Sequence, residues 1–140
     1  MAEANVDTLR RGYEALNRGD LSEVVSLIDD GIVWDPGELS PDGQQGSRGR
    51  ESFVAFVQSW MDAFDDFRVE PYEVIEDGPF LIAFVRQSGR GRASGAPIEI
   101  AIAHVWTIDD ERAIRLESYR TEREALDAVR DKSRSDAPRG

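Results

Sequence analysis

The stretch "IAIAHVWTID", residues 100–109, alternates as a strand does and carries the single histidine of the 140-residue chain. Extended one turn upstream, it puts Ile98, Ile100, Ile102, His104, Trp106 and Ile108 on one face. Glu99, Ala101, Ala103, Val105 and Thr107 share the other. A histidine among bulky apolar residues has two readings. Either a structural hydrogen bond satisfies it there, or it faces a cavity in which its proton is used.

The flanking sequence makes this strand one of four. Upstream, "FRVEPYEVIE" (67–76) turns at Asp77-Gly78-Pro79 into "FLIAFVRQSG" (80–89), and a Gly-Arg-Gly-Arg-Ala-Ser-Gly connection leads on to residue 97. Downstream, Asp109 to Arg112 turn the chain into "AIRLESYR" (113–120), although "DDER" lacks the glycine such a turn favours. Pro71 suits an edge strand or a bulge. Thr121 and Glu124 cap a short last helix with Ala125, Leu126 and Val129 on one side. The tail "DKSRSDAPRG", residues 131–140, is polar and expected to be disordered, which leaves 1–130 as a single domain.

The N-terminal part is helical by its spacing. Val6, Leu9, Tyr13 and Leu16 mark a first helix ending at Gly19, and Asp20 with Glu23 forms the capping box of a second. That second helix carries Val24, Leu27 and Ile28 and is broken at Asp30-Gly31. "IVWD" (32–35) is a short strand stopped by Pro36. Residues 36–48, "PGELSPDGQQGSR", have no periodicity and read as a loop that gates a pocket. A third helix, from Arg50 to Phe64, presents Phe53, Phe56, Val57, Trp60, Met61 and Phe64 on one wide face. Helices followed by an antiparallel meander indicate an α+β fold. Packed in the concave face of a curved sheet, they enclose a cone-shaped interior.

Composition narrows the function. The net charge of −11, with one lysine (Lys132), disfavours nucleic acid as a partner. The absence of cysteine removes disulfides and thiolate chemistry. One histidine without cysteine makes a dedicated transition-metal site improbable, and no cofactor fingerprint stands out. No leader or membrane-length apolar run is visible, so the expected setting is the cytoplasm.

Three segments, "YEALNRGDLSEVVSLIDDGIVWDP", "GRESFVAFVQSW" and "AHVWTIDDERAIRLESYRTEREAL", resemble the nuclear transport factor 2-like superfamily. The nearest branch is that of the SnoaL-like and ketosteroid-isomerase-like proteins. The likeness runs over about residues 5–129 and is specific for fold; the superfamily hosts isomerases, cyclases, dehydratases, epoxide hydrolases and non-catalytic binders. By this resemblance Asp35, followed by proline, falls where the isomerases hold a general base. His104 falls where they hold a protonated aspartate that donates to the substrate oxyanion. The isomerase tyrosine of the first helix has no match in register: Gly12 takes its place and Tyr13 lies one residue on.

These residues give the expected site. Asp35 acts as base or, in the plainer reading, caps the turn before Pro36. His104 is oxyanion donor or proton shuttle, and the two are expected across one cavity, coupled electrostatically. Tyr13, Trp34, Trp60, Phe84, Trp106 and Tyr119 are the expected pocket lining, although aromatics at such spacings also serve as plain core. Arg86 shares a strand face with Phe80, Ile82 and Phe84, and either points into the pocket or lies solvated near the strand end. The expectation is a cofactor-independent enzyme of isomerase or cyclase type with a small apolar or polyketide-like ligand. The alternative is a ligand-binding module or scaffold of the same fold. Outward-facing Ala101, Ala103 and Val105 need cover, and a homodimer is expected to provide it.

Overall fold

The computed structural model describes residues 2–35 and 47–135. Helices α1 (Ala2–Arg18) and α2 (Leu21–Ser26) are followed by strands β1 (Ile28–Asp35) and β2 (Ser47–Arg48) and by helix α3 (Arg50–Ala63). Strands β3 (Phe64–Asp77), β4 (Phe80–Gly91), β5 (Pro97–Asp109) and β6 (Arg112–Tyr119) then form the meander, and α4 (Glu122–Ser135) closes the chain. The sheet order is β2-β1-β6-β5-β4-β3. Every pairing is antiparallel except β1 with β6. The fold is the expected α+β cone, with α1, α2 and α3 against the inner face of the curved sheet.

Local chemistry sets the boundaries. Gly19 (φ 75°) ends α1, and the Asp20 side chain accepts from the Glu23 backbone N–H at 3.2 Å to start α2. Ile28 belongs to β1 and not to the α2 stripe. The strand survives "DDG" through a register irregularity between Ile28 and Val33. Within it the Gly31 N–H bonds back to Asp29 Oδ2 at 2.9 Å, and Arg50 at the start of α3 pairs with Asp30. Pro71 sits at a register shift of β3, an edge strand where its missing N–H costs nothing. The glycine-free turn forms because Asp110 (φ 51°) and Glu111 (φ 62°) both adopt the left-handed conformation of a two-residue hairpin.

The outer face of the sheet is the main departure from expectation. α4 runs to Ser135, so residues 131–135 are helical, not a disordered tail. Its Ala125 and Val129 pack on Phe80, Ile82, Phe84, Ala103 and Val105 as a second core. Lys132, near its end, reaches Glu117 Oε1 of β6 at 2.7 Å. The apolar residues Ala103 and Val105 are thereby covered within the chain, while Ala101 stays exposed. The expected gate lies mostly outside the described residues; its last two, Ser47 and Arg48, pair with β1. No helix among the described residues is long and apolar enough to cross a membrane.

Candidate functional site

Between the N-terminal helices and the inner face of the sheet lies a cavity of about 110 Å³. One water needs roughly 10–15 Å³, so this space is of ligand size. Its walls are chiefly apolar: Leu9 and Leu16 of α1, Phe53, Phe56 and Trp60 of α3, and Ile102 and Ile108 of β5 among them. His104 and Trp106 enter from the same face of β5, as the alternation requires. Tyr13 enters from α1, on the face it shares with Leu9 and Leu16.

These three polar side chains form one chain of hydrogen bonds. Trp106 Nε1–H donates to Tyr13 Oη at 2.9 Å, and Tyr13 Oη lies 2.7 Å from His104 Nδ1. An indole N–H can only donate, so the tyrosine oxygen accepts there, which leaves its own proton free to be given to the histidine. In the tautomer in which Nδ1 accepts that proton's hydrogen bond, the neutral ring carries its own proton on Nε2. Among the described residues no hydrogen bond to that nitrogen occurs, while the imidazole lines the cavity. Burial pushes the His104 pKa down to about 4 and the Tyr13 phenol well above its ordinary range. Both groups are neutral at physiological pH. The pair therefore presents a fixed, uncharged N–H donor to whatever fills the cavity.

The helix that supplies Tyr13 is registered on the sheet by Asn17, one turn further on. Its side-chain amide donates to Val69 O at 3.0 Å and accepts from the Val69 N–H at 2.8 Å, serving the edge of β3 as a further strand would. Sequence reading missed Asn17, whose role needs the helix–strand contact to be seen. It also missed Thr8, Gln87 and Ser118, which line the cavity. Ser118 was findable in principle, because it pairs directly with His104 across β5 and β6.

Of the expected lining residues, Tyr13, Trp60 and Trp106 reach the cavity with His104. The others do not. Trp34 is buried core between β1 and α3, stacked on Phe56 with ring centroids 4.5 Å apart and donating to Ser52 Oγ at 2.9 Å. Phe84 lies on the outer face beneath α4. Arg86 shares that face but is exposed, 2.9 Å from Glu99 and with its guanidinium over the Tyr72 ring. Tyr119 packs against the outer core, its hydroxyl donating to Glu117 Oε2 at 2.9 Å. The physical reason is the same for all of the outer set. β4 is apolar on both faces because both are covered, so alternation divides its residues without saying which set faces inward. The register Ala83↔His104 and Phe84↔Ala103 decides it.

Asp35 is also not across the cavity from His104. Ile28, Ile32 and Trp34 are the buried residues of β1, whereas Asp35 is exposed and lies beside Glu117 in the parallel pairing with β6. Its charge acts on Tyr119, on the α4 side. The expected coupling of Asp35 and His104 is thereby overturned, since burial alone accounts for the histidine's shift. Among the described residues no acidic side chain lines the cavity and no cluster suited to a metal ion occurs.

A family model described as a SnoaL-like domain matches residues 9–116. Comparison with curated protein sequences gives no match. An NTF2-like protein of unknown function from Burkholderia pseudomallei superposes with a TM-score of 0.74 at 25% identity, over 89% of this chain and 95% of that one. A putative SnoaL-like polyketide cyclase from Jannaschia gives 0.74 at 17% identity, over 97% and 94%. TerC co-crystallised with polyporic acid gives 0.74 at 19% identity, over 91% and 98%.

Proposed function

Because the chain belongs to the SnoaL-like domain family, we propose that its cavity takes a small, uncharged, mainly apolar carbonyl compound and promotes cofactor-independent proton transfer beside that carbonyl. His104 is the group that meets the reacting atoms. Its Nε2–H donates to the carbonyl oxygen, and the bond strengthens as negative charge develops there. Tyr13 and Trp106 hold the imidazole in the required tautomer, and the linked hydrogen bonds polarise one another. The hydrogen-bonded trio of Trp106, Tyr13 and His104 at the wall of an apolar cavity, with no bond to Nε2 among the described residues, is the observation that carries the reading. The chemistry fits isomerisation or aldol cyclisation of a substrate whose reacting carbon lies between two carbonyls. Such a carbon is acidic enough to lose its proton to water, so Asp35 is not needed as a base. The TerC structure with polyporic acid and the putative polyketide cyclase lend support by fold.

The absence of an acidic side chain among the described lining residues favours a second reading, binding without turnover. One experiment separates them. An aryl-substituted β-diketone is incubated with the protein in heavy water, and deuterium uptake at the activated carbon is followed by proton NMR. Acceleration by the parent chain, lost in His104→Asn, is the expected result. Saturable quenching of tryptophan fluorescence without acceleration leaves the binding reading; neither effect removes both. Pairing of two chains stays part of the proposal only for the uncovered outer surface around Tyr72, Arg86 and Ala101. Sedimentation at one chain's mass at micromolar concentration removes it. The cytoplasm is the proposed place of action.

A further inference from the structure

The cavity has a second polar feature that the His104 relay does not use. Gln87, on the inner face of β4, is only 5% exposed and lines the cavity. Its Nε2 is buried with no hydrogen-bond partner among the described residues. Val69, directly across on β3, offers it no backbone group, because Asn17 engages both the N–H and the C=O. The nearby cavity walls, Trp60 and Phe67 among them, are aromatic. A buried amide is rarely left unpaired, and one that faces a cavity finds its partner there, in a water or in a polar atom of a ligand that displaces it.

Its position relative to His104 follows from the register. Gln87 pairs with Ile100 and His104 with Ala83, so the two side chains leave the inner face four residues apart along the strands. At about 3.3 Å per residue this is roughly 13 Å. Two hydrogen bonds of about 2.9 Å each leave roughly 7 Å between the ligand atoms they hold. We infer that Gln87 is a second anchor and the specificity determinant of this site, and that the ligand is a narrow, flat, uncharged molecule with an oxygen at each end. One oxygen meets His104 Nε2. The other, a hydroxyl or carbonyl, meets the Gln87 carboxamide, which offers both a donor and an acceptor. The inference rests on the cavity reading above and adds the length and the two-ended polarity of the ligand.

Two probes test it on the full chain: a naphthalene diol with hydroxyls at opposite ends and the corresponding mono-naphthol, titrated by calorimetry. The parent chain is expected to bind the diol about three- to tenfold more tightly than the mono-ol, the worth of one added neutral hydrogen bond. Gln87→Met, of similar length but without the amide, should abolish that preference and keep the mono-ol affinity within about twofold. It should also melt no lower than the parent, since no bond is lost; a melting point clearly below the parent's assigns Gln87 a structural role and overturns the inference. Equal binding of the two probes by the parent chain overturns the Gln87 anchor and leaves the cavity reading standing. Failure of both probes to bind the parent chain removes both.

Discussion

His104 should add its own share to the acid destabilisation of this protein, and the size of that share follows from its burial. In the unfolded chain the imidazole titrates near 6.5, while in the folded protein burial holds it to about 4. Above pH 6.5 it is neutral in both states and contributes no pH dependence. As the pH falls below 6.5 the unfolded chain takes up a proton that the folded chain refuses, so stability is lost progressively until about pH 4. Over the full window the shift corresponds to about 3 kcal/mol, most of it already lost by pH 4.5. Carboxylates titrate in the same range, so the parent must be compared with a chain lacking the histidine. His104→Asn serves, because its amide oxygen takes the place of Nδ1 and accepts from Tyr13. Urea unfolding of both chains at pH 7.5 and 4.5 should show the parent losing about 2–3 kcal/mol more than the variant. As the single histidine of the chain, His104 can also be titrated directly by nitrogen NMR, which reports its tautomer. The expected result is a neutral ring with the proton on Nε2 at pH 7. Parallel unfolding profiles, or an NMR midpoint of about 6 or higher, would refute the buried neutral donor.

Other perturbations have equally direct readouts. Tyr13→Phe leaves the Trp106 N–H and His104 Nδ1 without their shared partner and should cost about 2–3 kcal/mol in urea unfolding; nitrogen NMR should then show both imidazole tautomers. Asn17→Ala removes two hydrogen bonds to Val69, an expected loss of about 2 kcal/mol, with accelerated amide exchange along the β3 edge as its local signature. Val129→Asp puts a charge into the outer core, where Val129 is 1% exposed. It should undock α4 and uncover Phe80, Ile82 and Phe84, and light scattering should show concentration-dependent association.

The sequence reads this fold well where one physical rule acts alone. Helix ends at Gly19 and Asp20 are local hydrogen-bonding problems, and the structure solves them with the residues the sequence offers. The inward face of β5 was legible because Ile102, His104, Trp106 and Ile108 contrast with smaller residues opposite. β4 shows where legibility ends. Phe80, Ile82 and Phe84 are as apolar as Leu81, Ala83 and Val85 because α4 covers one face and the cavity helices the other. Only the pairing register, a tertiary fact, sorts them. That single ambiguity placed Phe84 and Arg86 in the pocket and hid Gln87, the inward neighbour of Arg86. Tyr13 shows the converse. Judged by its register against relatives it is one position astray, but helix α1 is pinned by Asn17 to Val69, and in that setting the Tyr13 hydroxyl reaches both Trp106 and His104. The histidine thus combines the two readings its sequence allowed: it is hydrogen-bonded at Nδ1, and its ring lines the cavity with no bond to Nε2 among the described residues. The two are linked, because a hydrogen bond donated by Tyr13 to Nδ1 leaves the ring's proton to Nε2.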